Sequence, residues 1–384
     1  MKIERIAEKE LKSLALQYKA VAVVGPRQSG KTTLVRASFP NKAYVNLENP
    51  DIRRFALDDP RGFLSNYSEG AILDEVQRTP EIFSYLQPLL DENETKGQFI
   101  LTGSNNFLLQ ENISQSLAGR VGYLYLLPLS LQEIKERALT ADELIFKGFY
   151  PALYNGDTDI SKYYDNYIRT YVERDVRLIR NITNLYTFER FMRLCAGRIG
   201  QLLNMNSIAI EVGVDNKTIS SWLSVLEAGF VLFRLQPYHR SFNKRVVKMP
   251  KLYFYDTGLA SALLGIENSQ QLTLHPFRGA LFENLIVTEF LKKRYNQGKR
   301  NDLFFWRDNV GNEVDLLIET ADGLFPVEIK SGQTITDHFF KSMIAWFKIS
   351  GMARGYVVYA GDTVQRRSNG ITVVPFRELD IISG

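Results

Sequence analysis

The apolar run Ala20-Val21-Ala22-Val23-Val24 leads directly into Gly25-Pro26-Arg27-Gln28-Ser29-Gly30-Lys31-Thr32, and a helical pattern follows. A buried strand, a glycine loop and a helix in that order form a site for a phosphate chain, the arrangement known as Walker A. Gly25 and Gly30 let the backbone curl into a concave nest of N–H groups. Lys31 is placed to reach the β- and γ-phosphates, and the Thr32 hydroxyl suits Mg2+. The helix starting there points its positive end at the anion. Gly25, Pro26, Arg27, Gln28, Ser29, Gly30, Lys31, Thr32 and Thr33 are therefore the expected nucleotide-binding segment.

A second half of the site is expected downstream. Ala71-Ile72-Leu73 runs into Asp74-Glu75, and acids at the tip of a buried strand call for a cation, because buried carboxylates are otherwise costly. Asp74 is expected to hold the Mg2+ shell and Glu75 to polarise the attacking water. Another strand, Gln98 to Thr102, ends in Gly103-Ser104-Asn105. Ser104 reads either as a group that senses the γ-phosphate or holds the lytic water, or as a polar helix cap. Arg120, in Leu117-Ala118-Gly119-Arg120, reads either as a finger supplied in cis or by a neighbouring subunit, or as a surface arginine.

These strands fall at 20–24, 43–47, 71–74, 98–102 and 121–127, with helical patterns between them. That rhythm predicts a parallel sheet wrapped by helices. Ligands in such sheets bind beyond the strand C-termini, where the loop and the acids lie. At 384 residues the chain is long enough for about two or three domains. A net charge of +4 permits nucleic-acid binding without arguing for it. The single cysteine, Cys195, suits a reducing cytoplasm, and no apolar run approaches the ~18 residues of a membrane span.

From Ser161 to about Arg198 the pattern is helical and rich in tyrosine and arginine. Residues 206–229 then read as a helix-turn-helix. Asn206-Ser207 is expected to cap a helix over Ile208–Val212, Gly213 to make the turn, and Asp215 to cap a second helix reaching Ala228. Ile219, Leu223 and Leu226, with Trp222 beside them, form its expected buried stripe, leaving Lys217 outside. Two strands follow, around 230–235 and 251–255. Arg240, Lys244, Arg245 and Lys248 lie between them with no acid. This reads as a winged helix able to lie on DNA, or equally as a packing module.

The last third carries a second constellation. An amphipathic helix over 279–296 bears Glu283, and strands are expected at 303–306, 313–319 and 324–330, with a tight Asp322-Gly323 hairpin. Strand alternation puts Asp315 on one face and Glu328 with Lys330 on one face, and folding the hairpin sets Asp315 opposite residues 328–330. Glu283, Asp315 and Glu328 can hold Mg2+ or Mn2+ through oxygen, and Lys330 can orient water. The same pattern also suits a hairpin with charges on its wet side.

In series, Gly25 to Thr32, Asn46-Leu47-Glu48-Asn49-Pro50, Leu73-Asp74-Glu75-Val76-Gln77, Leu101-Thr102-Gly103-Ser104, Leu117-Ala118-Gly119-Arg120 and Tyr255-Asp256-Thr257-Gly258-Leu259 resemble the prokaryotic AAA-type ATPases with a C-terminal domain of unknown function. Asp315 and Glu328-Ile329-Lys330, with Glu283, resemble the PD-(D/E)xK nuclease superfamily, although Val314 stands where proline is usual. The resemblance implies an α/β chain in three parts. These are a P-loop ATPase domain over 1–158, a helical and winged-helix domain over 159–270, and a restriction-endonuclease-like domain over 271–384. It implies ATP and Mg2+ as cofactors, with Mn2+ an option at the nuclease-like site. DNA, a protein partner and further copies of the chain are the partners to consider. The function expected is a cytoplasmic ATP hydrolase whose nucleotide state controls the winged helix and a nuclease. The alternative is a regulatory or remodelling switch with a silent nuclease fold.

Overall fold

The computed structural model describes residues 3–103, 117–170, 184–238, 247–321 and 323–382. Ser104, Asn105, Asp322 and the basic residues Arg240, Lys244 and Arg245 lie outside the described residues.

The first part opens with helix α1 (Ala7–Gln17), then β1 (Ala20–Val24), α2 (Lys31–Ser38), β2 (Ala43–Asn46), α3 (Pro50–Asp58), α4 (Pro60–Ser65), β3 (Ala71–Asp74), α5 (Ile82–Glu92), β4 (Phe99–Gly103) and β5 (Val121–Tyr125). The strands form a five-stranded parallel sheet in the order β2-β3-β4-β1-β5. Both faces of β1 are buried, which explains its unbroken apolar sequence. Val21 and Val23 pack with Leu11 and Leu14 of α1 and Leu34 and Val35 of α2. Ala20, Ala22 and Val24 face the opposite core. The order inserts β4 between β3 and β1, so Thr102 and Gly103 pair with Val23 and Val24 at the strand ends that precede the glycine loop.

A helical part follows: α6 (Ala141–Lys147), α7 (Ile160–Thr170), α8 (Leu185–Ala196), α9 (Met205–Val212) and α10 (Asn216–Ala228). The cap of α9 lies two residues earlier than expected. The Asn204 side chain, not that of Asn206, accepts the Ser207 amide at 3.1 Å. Asp215 caps α10 as expected, accepting the Thr218 amide at 2.7 Å. Ile219, Trp222, Leu223 and Leu226 are buried, and Lys217 is exposed.

Next come β6 (Leu232–Pro237), β7 (Lys251–Phe254), α11 (Thr257–Leu263), α12 (Ser269–Leu272) and α13 (Arg278–Asn296). The last part comprises β8 (Leu303–Arg307), β9 (Glu313–Thr320), β10 (Gly323–Lys330), α14 (Lys341–Ser350), β11 (Gly355–Tyr359), β12 (Gln365–Arg366) and β13 (Ile371–Pro375). An eight-stranded mixed sheet runs β12-β13-β11-β10-β9-β8-β6-β7. Gln236 and Pro237 of β6 pair with Phe304 and Phe305 of β8, so this sheet crosses the boundary expected at residue 270. On one face α14 covers the sheet, and Trp346 meets Trp306 edge-to-face with ring centroids 5.0 Å apart. Such an aromatic pair adds about 0.5–1.5 kcal/mol beyond its burial. On the other face, Leu281, Phe282 and Leu285 of α13 join a core that continues into the N-terminal part.

Candidate functional site

The first of two polar clusters lies at the C-terminal ends of β1, β3 and β4. Gly25 and Gly30 take φ of 159° and 92°, and α2 begins at Lys31, immediately after Gly30. A Cβ on Gly25 would stand 2.1 Å from the Leu126 carbonyl oxygen, so the loop approaches the next strand too closely for a side chain. The Lys31 ammonium donates to the Gly25 and Pro26 carbonyls at 2.9 and 2.7 Å, folded back along its own loop. Burial pushes Lys31 down to about 8, outweighing the raising effect of Glu75 and Asp74.

Asp74 is the hub of this cluster. The Thr32 hydroxyl donates to its Oδ2 at 3.0 Å, the Tyr44 hydroxyl donates to the same oxygen at 2.6 Å, and the Thr102 hydroxyl donates to Oδ1. Thr32 and Asp74 thus lie side by side although 42 residues separate them. Hydroxyl and carboxylate oxygens are the hard donors that Mg2+ prefers, so the set fits that ion. Glu75 is a non-glycine residue at φ 56°, a left-handed conformation that turns the chain sharply off the strand. Backbone of that kind is costly and tends to mark a functional position. Gln77 Nε2 donates to Glu75 Oε2 at 2.6 Å.

Sequence reasoning passed over Tyr44 and the orienting role of Thr102. Tyr44 lies within β2 and Thr102 within β4, and only strand order shows that they converge on Asp74. Arg120 is not brought to the loop of its own chain. It precedes β5 at the opposite end of the sheet, where its backbone carbonyl accepts the Ala20 amide and its guanidinium pairs with Asp91 at 2.6 Å. A cis finger is therefore excluded by the direction of the strand.

The second cluster lies where α13 meets β7, β9 and β10. The hairpin register sets Val327 against Leu316, and the Ile329 amide donates to Asp315 Oδ2 at 2.8 Å. Lys330 Nζ donates to Glu328 Oε1 at 2.5 Å. Burial, and then the neighbouring Asp315, push Glu328 up to about 8. These contacts match the expected convergence, but Lys251 was not expected among them. Only 2% of its side chain is exposed, and its ammonium pairs with Glu283 Oε1 at 3.0 Å and with Glu313. Tyr253 donates to the same Glu283 oxygen. Burial lowers Lys251, but Tyr253, Glu283, Asp315 and Glu313 more than offset it, and the ammonium stays charged.

Lys251 and Lys330 thus share this cluster with Glu283, Asp315 and Glu328, the residues expected to hold a metal. One oxygen of each acid is engaged: Glu283 Oε1 by Lys251 and Tyr253, Asp315 Oδ2 by the Ile329 amide, and Glu328 Oε1 by Lys330, while Glu328 Oε2 is buried with no hydrogen-bond partner among the described residues. Among the described residues, no group of three or more His, Cys, Asp or Glu side chains is arranged to hold a metal ion. Of the expected nucleic-acid contacts, Lys217 and Lys248 are exposed on α10 and before β7. No described helix is long and apolar enough to cross a membrane.

Residues 17–135 match an AAA domain, residues 139–270 a domain of unknown function (DUF8612), and residues 278–379 another (DUF4143). An uncharacterized protein of Mycobacterium tuberculosis is 32% identical over 361 residues, spanning 92% of this chain and 79% of the relative. The chain belongs to that family of AAA-domain proteins. An uncharacterized protein of Methanocaldococcus jannaschii is 23% identical over 356 residues, covering 82% of this chain and 75% of the relative. Among solved structures, a Walker-type ATPase of Pyrococcus abyssi aligns with a TM-score of 0.47 at 14% identity, over 68% of this chain and 96% of that one. DnaA from Aquifex aeolicus, bound to AMPPCP, aligns with a TM-score of 0.29 at 14% identity, over 58% of this chain and 86% of that one.

Proposed function

We propose that this AAA-domain protein is a Mg2+-dependent ATP hydrolase whose nucleotide state switches the arrangement of its helical and C-terminal parts. The observation that carries the reading is the 3.0 Å contact between Thr32 Oγ1 and Asp74 Oδ2 across the strand tips. In this reading Lys31 leaves the Gly25 and Pro26 carbonyls to bind the β- and γ-phosphates, and the loop amides cradle the chain. Thr32 and Asp74 hold the metal, with Tyr44 and Thr102 fixing the Asp74 carboxylate. When bound, Mg2+ neutralises charge on the phosphate oxygens. Glu75 orients the attacking water and polarises its O–H bond. Arg120 remains a candidate only for a neighbouring subunit's site. The test is ATP turnover by wild type beside Lys31→Ala and Glu75→Gln. Turnover in wild type that both substitutions abolish supports the reading, and turnover that survives both overturns it.

Two output readings follow. The turn between α9 and α10 and the exposed Lys217 and Lys248 support nucleic-acid binding by this part, to which the sequence adds the basic residues Arg240, Lys244 and Arg245. For the C-terminal part, Lys251 among the acids favours a silent nuclease fold acting as a scaffold. Incubating wild type and Asp315→Ala with linear, circular and branched DNA, with Mg2+ or Mn2+ and with or without ATP, tests the silent reading. Cleavage by wild type alone overturns the silent reading.

A further inference from the structure

The phosphate loop is held from outside by a residue that precedes the whole sheet. Arg5 lies ahead of α1, and its side chain is only 8% exposed. One nitrogen, Nη1, donates to the Ser29 carbonyl at 2.6 Å, and Nη2 donates to the Leu127 carbonyl at 2.7 Å. The third, Nε, donates to Glu133 Oε1 at 3.0 Å. All three nitrogens of the guanidinium are used, and its planar fork fixes their directions together. Glu133 is itself anchored, accepting the Ile6 amide through Oε1 and the Ser130 amide through Oε2, each at 2.8 Å.

The Ser29 carbonyl belongs to the peptide that joins Ser29 to Gly30. In a trans peptide the C=O and N–H point in opposite directions across one rigid plane. Drawing the Ser29 oxygen outward onto Arg5 therefore turns the Gly30 amide inward, toward the concavity of the loop. Gly30 at φ 92° leaves this peptide without a side chain that would lock it, so an external restraint has work to do here.

We propose that Arg5 is a positioning residue for the nucleotide site: it presets the Ser29–Gly30 peptide so that the Gly30 N–H faces the incoming phosphate. This rests on the reading of the loop as an ATP site and adds to it a residue outside the Walker motif. Arg5 touches neither Asp74 nor Glu75 in the hydrogen bonds described, so its removal acts on binding rather than on the water-activating step.

The test compares wild type, Arg5→Met, Arg5→Lys and Lys31→Ala in the full chain. Fluorescent mant-ADP titration reads affinity, and steady-state ATP turnover reads KM and kcat. Arg5→Met is expected to weaken mant-ADP about tenfold and raise KM in proportion, with kcat within about twofold of wild type. Arg5→Lys is expected to fall between the two, since a lysine cannot reproduce the fork to Ser29, Leu127 and Glu133. If Arg5→Met does not fold, Arg5→Lys decides alone: a KM equal to wild type overturns the proposal. Affinity in Arg5→Met equal to wild type also overturns it, as does a fall in kcat at constant KM. If wild type itself neither binds mant-ADP nor hydrolyses ATP, the ATPase reading falls and this proposal falls with it.

Discussion

The ammonium of Lys251 lies 3.0 Å from Oε1 of Glu283, joining β7 to α13 inside the protein. Lys251 enters from a strand that sequence reasoning assigned to the middle domain, while Glu283 belongs to the last. The pair therefore fastens the edge of the shared sheet to the helix beneath it, and Glu313 completes the charge balance. Removing one partner of a buried ion pair leaves the other uncompensated, which is more costly than losing the attraction alone.

Lys251→Met is accordingly expected to destabilise the protein by about 3 kcal/mol, because it strands Glu283 and Glu313. The double variant Lys251→Met/Glu283→Gln is expected to recover part of that loss. Denaturant unfolding of both variants checks this. A single substitution that unfolds at the wild-type midpoint contradicts the fastening role.

Nucleotide binding is expected to take up protons above neutral pH. Lys31, lowered to about 8 by burial, is partly neutral in the free protein in this range. A bound phosphate chain favours the charged ammonium and raises that value, so the complex holds more protons than the free protein. The sign follows: affinity falls as pH rises through about 8, and binding at about pH 8.5 draws protons from the buffer. Calorimetry in buffers of different ionisation enthalpy measures the uptake. Binding without proton exchange at that pH contradicts it.

Thr102→Val keeps the shape of the side chain and removes the hydroxyl that orients Asp74. Under the proposed role of Asp74 in holding Mg2+, losing such an outer partner costs roughly 10–100-fold in activity or metal affinity. ATP turnover against Mg2+ concentration is the measurement, and the Mg2+ requirement is expected to shift upward. An unchanged Mg2+ profile would remove Thr102 from the site.

Gly258→Ala is expected to destabilise by about 2 kcal/mol through overpacking. A Cβ there would meet the Tyr164 hydroxyl at 2.2 Å, and that hydroxyl donates to Asp256 at 2.7 Å. Asp256 also accepts the Phe149 amide at 2.7 Å and caps α11 through the Leu259 amide. The Asp256-Thr257-Gly258-Leu259 motif is thus a buried joint between parts of the chain. Thermal unfolding checks this, and Tyr164→Phe in the same background is expected to relieve part of the strain.

Local chemistry was legible in the sequence wherever neighbouring residues act together. The Gly25–Thr32 loop, the Asp74-Glu75 strand tip, the cap at Asp215 and the Asp315–Ile329 hairpin contact follow from φ preferences, strand alternation and turn residues. These lie within one loop, one cap or one hairpin and need no knowledge of distant packing. What only the tertiary structure decided is which distant groups share a site. The insertion of β4 between β3 and β1 brings Thr102 to Asp74. The strand direction carries Arg120 to the far end of the sheet. The pairing of β6 with β8 drives Lys251 into the acids that the hairpin had assembled. Each outcome depends on strand order and sheet edges, which are set by burying whole faces of apolar surface at once. No short stretch of sequence encodes that burial.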